Sequence, residues 1–112
     1  MGCEKARTPE EQFEYSKTLF NEGKYEECLG ELAEYLNNNV TDKNYAKGLF
    51  LRGYIFANHT NQLDSARVVY EQFLKRFPDD QLVSSVKFEL QNLGKSPELL
   101  LNLSDDTAVE SN

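Results

Sequence analysis

One amphipathic pattern occurs twice in this chain, and a chain built from two copies of one unit has few folds open to it. The clearer copy runs from Leu63 to Phe77 and stops at Pro78, and the weaker one runs from Tyr25 to Leu36. Tyr25 matches Leu63, Cys28 matches Ala66, Leu32 matches Tyr70, Tyr35 matches Phe73 and Leu36 matches Leu74, all 38 residues apart. The segments just upstream match as well, but 37 apart: Phe13 with Phe50, Ser16 with Gly53, Leu19 with Phe56. The second copy has one residue more between its two segments. Each unit is therefore two helices joined by a turn of variable length.

Local signals place six helices. Thr8-Pro9-Glu10-Glu11 starts the first, with Thr8 as cap, proline in the first turn and Glu11 closing a capping box; Gly23 turns the chain. The second carries Tyr25, Cys28, Leu29, Leu32 and Leu36 on one face and ends in Asn37-Asn38-Asn39, residues that tolerate left-handed backbone. The third is expected from Thr41 or Asp42 to the break at Asn58-His59-Thr60-Asn61. The fourth shows Leu63, Ala66, Tyr70, Phe73, Leu74 and Phe77 at helical spacing, and Pro78 stops it. Asp79 or Asp80 caps the fifth, whose stripe is Val83, Val86, Leu90 and Leu93 before Gly94. Ser96-Pro97-Glu98 restarts a short sixth, packing through Leu99, Leu100 and Leu103, and an acidic tail follows from Ser104. Two small positions are expected to lie at helix crossings: Ser16 against Cys28, and Gly53 against Ala66. Gly30 falls on an exposed face of the second helix.

These residues resemble the tetratricopeptide repeat (TPR). Small residues stand at that family's crossing positions (Ser16 and Gly53, Cys28 and Ala66), Gly23-Lys24-Tyr25 is similar to its turn, and Phe77-Pro78 to its closing proline. The wording Ala66-x3-Tyr70-x2-Phe73-Leu74-x2-Phe77-Pro78 is closest to small TPR lipoproteins of the bacterial cell envelope. The chain departs from the pattern in places: Val40 replaces the proline after the first repeat, Arg52 stands where a large apolar residue is usual, and the third repeat is truncated. The resemblance implies an all-α fold of antiparallel helix-turn-helix repeats, a right-handed α-solenoid fragment of two full repeats plus a helical cap. Residues 1–8 would be a tether and 9–103 the helical domain, with repeat 1 at about 9–39, repeat 2 at about 42–78, a partial repeat and cap at about 80–103, and a disordered tail at 104–112.

Composition narrows the function classes. A net charge of −7 argues against nucleic acid, whose phosphates require a positive footprint. The longest purely apolar run is Leu99-Leu100-Leu101, far short of a membrane span. Gly2-Cys3 resembles a bacterial lipoprotein junction, which would make Cys3 a lipidated residue and place the domain on the periplasmic face of the envelope. Acylation of a eukaryotic type at Gly2 and Cys3, or no role at all, stays open, and without a lipid the chain is expected in the cytoplasm. A Cys3–Cys28 disulfide is not expected, because Cys28 occupies a buried crossing.

No catalytic constellation is readable. His59 is the sole histidine and lies in a turn, the acidic pairs fit helix starts and solvated faces, and no phosphate-binding loop or metal-ligand spacing occurs. No enzyme activity, metal or cofactor is expected. The N-x-Ser/Thr triplets at Asn39, Asn58 and Asn102 carry no expectation outside a secretory pathway. What the resemblance does imply is a concave groove that holds a protein or peptide partner. Its positions fall on Phe13, Lys17, Phe20 and Asn21 in repeat 1 and on Lys47, Phe50, Tyr54 and Asn58 in repeat 2. Rings supply area while amide and ammonium groups fix orientation. Internal packing of Phe13, Phe20 and Phe50 is the open alternative. So are a small enzyme or ligand-binding domain using the groove as a pocket and a self-associating structural protein, although a monomer is the expectation.

Overall fold

The computed structural model describes residues 7–95. They form five helices: α1 (Pro9–Asn21), α2 (Tyr25–Asn38), α3 (Tyr45–Asn58), α4 (Leu63–Arg76) and α5 (Val83–Gln91). No strand occurs among the described residues, so this span is all-α. Cys3, the expected sixth helix with Leu99, Leu100 and Leu103, and the tail 104–112 lie outside the described residues.

The helix ends follow from side chains close in sequence. Thr8 and Glu11 form the capping box, with the Glu11 N–H donating to Thr8 Oγ1 at 3.1 Å and the Thr8 N–H donating to Glu11 Oε1 at 2.9 Å. Gly23 takes φ +77° in the turn between α1 and α2, and Gly94 takes φ +84° after α5. The expected cap of α5 by Asp79 or Asp80 is not formed: Leu82 is the N-cap, without a side-chain cap bond, and the Asp80 carboxylate accepts the Leu82 N–H at 2.8 Å in the turn that precedes the helix. Two further expectations are corrected. The left-handed asparagine is Asn61, at φ +54°, not one of the run 37–39; Asn39 keeps a negative φ, and its amide donates to the Tyr35 carbonyl at 3.0 Å. And α3 starts at Tyr45, not at Thr41 or Asp42, because the Asp42 carboxylate is drawn aside. It accepts the Tyr35 hydroxyl and the Asn44 N–H, which holds the chain in a turn until Tyr45.

Consecutive helices pack on one another in chain order, α1 on α2, α2 on α3, α3 on α4 and α4 on α5, and α3 also touches α5. Burial recurs at the matched positions: Cys28 and Ala66, Leu32 and Tyr70, and Tyr35 and Phe73 are all fully buried. Ser16 and Gly53, and Leu19 and Phe56, are buried as well.

Two glycines let α3 sit between its neighbours. A Cβ on Gly53 would lie 2.6 Å from Tyr70 Cε1, so α4 lays a tyrosine ring on the glycine; the expected partner Ala66 is not what fills that space. On the other flank a Cβ on Gly48 would come 3.1 Å from Tyr35 Cε2 of α2. In the first hairpin the crossing is the expected one. The Cys28 thiol donates to the Ser16 carbonyl at 3.1 Å, and the Ser16 hydroxyl donates to Gln12 O at 3.0 Å. Burial, with Glu31 adding to it, pushes the Cys28 thiol up to about 11.

Two expectations follow. Gly53→Leu drives a side chain into the Tyr70 ring and lowers stability by about 1–3 kcal/mol, whereas Gly30→Ala, with open space around its Cβ, raises it by about 0.5–1 kcal/mol; urea titration separates the two. Because the fold favours the neutral Cys28 thiol, the stability tied to it is complete below the ordinary thiol value of about 8.5 and is lost as pH rises towards 11. Native Cys28 should resist thiol reagents at pH near 8, and Cys28→Ala should flatten the onset of the alkaline decline in stability.

Candidate functional site

On the side of α3 that bears Lys47, Phe50, Tyr54 and Asn58, two clefts open. The first, of about 420 Å³, lies between α1, α3 and the residues leading into α5, and is lined by Phe13, Lys17, Lys47, Phe50, Leu51, Gln81 and Leu82. Its floor is apolar because helical spacing turns Phe13 and Phe50 inward. Phe13 is 4% exposed and packs 5.7 Å from the Tyr35 ring. Phe50 lies 6.1 Å from the rings of both Tyr54 and Tyr70. Lys17, one turn beyond Phe13, carries its ammonium 5.1 Å above that ring and 3.1 Å from Glu14 Oε2, a surface pair that contributes little. Lys47 stands exposed, one turn before Phe50. The lining thus holds two ammonium groups and no carboxylate, on a chain whose net charge is −7.

The second cleft, of about 370 Å³, lies at the other end of α3 and is lined by Tyr54, Asn58, His59, Glu89, Asn92 and Lys95 among others. Glu89 of α5 is its pillar. One of its oxygens accepts the Asn58 amide at 3.1 Å and the Tyr70 hydroxyl at 3.3 Å. Burial first, then the Glu89 charge, raises the Tyr70 hydroxyl well above the ordinary tyrosine range, so it stays a neutral donor. Beside this cleft stands an aromatic wall. His59 stacks on Tyr25 at 4.0 Å with the planes 14° apart, and Phe20 meets Tyr25, His59 and Tyr54 edge-on at 5.6, 5.5 and 6.2 Å.

The eight expected groove residues are therefore distributed rather than continuous. Phe13, Lys17, Lys47 and Phe50 share the first cleft, and Tyr54 and Asn58 line the second. Phe20 belongs to the aromatic wall that joins α1 to α3. Asn21 is exposed and lines neither cleft. Sequence reasoning overlooked the Tyr25–His59 stack and Glu89. The available signal was positional: Tyr25 opens α2 and His59 follows α3, so both stand at helix ends. Among the described residues no group of three or more His, Cys, Asp or Glu side chains converges on a metal site, and no helix is long and apolar enough to cross a membrane. Comparison with protein-family models and with curated proteins finds no match.

The Asn58–Glu89 bond ties α3 to α5 across the second cleft. Asn58→Asp would set a second carboxylate against Glu89 and is expected to lower stability by on the order of 1 kcal/mol, with amide exchange rising first in α5.

Proposed function

We propose that this chain is a TPR-type interaction module that holds a segment of a partner protein in the cleft between α1 and α3 and performs no chemistry on it. The repeat reading draws support from the recurrence of burial at positions 37 and 38 residues apart. The observation that carries the functional reading is the first cleft, an apolar floor of Phe13, Phe50, Leu51 and Leu82 rimmed by Lys47 and by Lys17, the latter in an exposed pair with Glu14. Such a surface suits a peptide that places an aliphatic or aromatic side chain on the floor and a carboxylate at the rim, where ammonium groups fix its direction. The net charge of −7 opposes the approach of an acidic segment at a distance, so its selection rests on the lysines at contact and is favoured by salt that screens the long-range repulsion.

A fluorescently labelled peptide that pairs leucines with aspartates tests this by anisotropy. Binding is expected, and Lys17→Glu combined with Lys47→Glu is expected to weaken it by roughly tenfold or more, a loss of about 1.4 kcal/mol or greater, with helicity unchanged. Absence of binding, or equal affinity in the double variant, would remove the site from this cleft.

A further inference from the structure

The opposite side of α3, at about 100° per residue, carries an arrangement that the peptide cleft does not use. Arg52, the departure from the repeat pattern, lies there, half-buried, with its guanidinium 5.2 Å from the Phe56 ring. Its Nε is the only buried side-chain nitrogen or oxygen among the described residues without a hydrogen-bond partner, and Arg52 forms no ion pair there. A buried N–H without an acceptor is a cost that a folded chain normally avoids. The cleft it lines, of about 320 Å³, also holds Asp64, Val68 and Gln72 of α4. Val68 is 55% exposed, one of three large apolar side chains that stand exposed among the described residues. The cleft thus presents an arginine and an aspartate that do not pair with each other, and an uncovered valine.

Their order along α4 decides what would complete them. Asp64, Val68 and Gln72 follow one another at intervals of four residues, about 6 Å apart along the axis and on one outward stripe. Arg52 lies at the Gln72 level, since these two residues together line both this cleft and the adjoining one. A two-fold axis through Val68 therefore exchanges the Asp64 end with the Arg52 end. We propose that this face is an isologous interface in which a second copy of the chain packs α4 antiparallel on α4, Val68 on Val68, with Arg52 of each copy bound to Asp64 of the other. Opposed residues on the two α4 helices then have numbers that sum to 136, so Asp64 meets Gln72, Glu71 meets Ser65 and Lys75 meets Asn61. No two like charges stand directly opposite, although Asp64 of each copy lies one residue's rise, about 1.5 Å along the axis, from the level of Glu71 of the other. Because the surface lies across α3 from the peptide cleft, the dimer stands or falls independently of the proposed peptide binding.

Sedimentation of the full chain at physiological ionic strength tests this, the net charge of −7 opposing association when salt is low. Wild type should approach twice 12.9 kDa as concentration rises. Asp64→Arg and Val68→Lys, both at exposed positions where folding is not at stake, should each return the mass to that of a monomer. Arg52→Glu should do the same. The decisive arm is complementation: Arg52→Glu mixed with Asp64→Arg restores both ion pairs in a heterodimer, and one chain carrying both changes restores them in a homodimer. Wild type that stays monomeric at about 1 mM, where even a weak interface would assemble, overturns the proposal. So does a dimer indifferent to Asp64→Arg or Val68→Lys, or a dimer lost on both substitutions and not regained by the chain that carries the two charge changes together. That chain also covers the case in which Arg52→Glu alone fails to fold.

Discussion

The close approach of two tyrosine rings to two glycines of α3 sets the spacing on which the rest of the molecule depends. Tyr70 lies where a Cβ of Gly53 would be, and Tyr35 closes on Gly48 from the other flank, so α2 and α4 both approach α3 at its backbone rather than at its side chains. Both rings are fully buried, and each carries its hydroxyl to a carboxylate, Tyr35 to Asp42 and Tyr70 to Glu89. Those bonds matter because a buried hydroxyl without a partner would cost about 1–3 kcal/mol, offsetting much of what the ring's burial contributes. The same two bonds position what lies beyond them: Asp42 delays the start of α3, and Glu89 holds α5 against Asn58.

With both flanks of α3 occupied, two sides of the helix remain. One bears Lys47, Phe50 and Tyr54 and, with Phe13 and Lys17 of α1, forms a cleft with an apolar floor and a cationic rim. The other bears Arg52 and Phe56 and opens between α2 and α4. Helical periodicity alone separates these faces, and the glycines let the neighbours approach closely enough for each face to become the floor of a cleft.

Much of this was legible in the sequence, and what was not has a common cause. Thr8, Glu11, Gly23 and Gly94 act on backbone a few residues away, and the expectations for them match the structure, whereas Asp80 holds the turn before α5 and does not cap the helix itself. The start of α3 was misplaced because Asp42 answers to Tyr35, which lies a turn away in the packed structure and belongs to another helix. Gly53 was recognised as a crossing residue, but spacing cannot say which rung of α4 faces it, and the occupant is Tyr70 rather than Ala66. Gly48 gave no signal at all, since a glycine notch shows itself only once the ring that fills it is in place. The groove suffered in the same way. Eight residues mapped to one continuous surface become four in one cleft, two in another, one in an aromatic wall and one outside, because Glu89 and His59, which line the second cleft, come from an element and a turn whose placement is tertiary.

The central claim, that α3 is gripped at its two glycines by tyrosine rings from either side, is open to direct observation by proton NMR. The Gly53 α-protons should show cross-relaxation to the Tyr70 ring and the Gly48 α-protons to the Tyr35 ring, both glycines shifted upfield by ring current. Glycine α-protons near their unstructured shifts, with cross-peaks to neither ring, would contradict the packing from which both clefts follow.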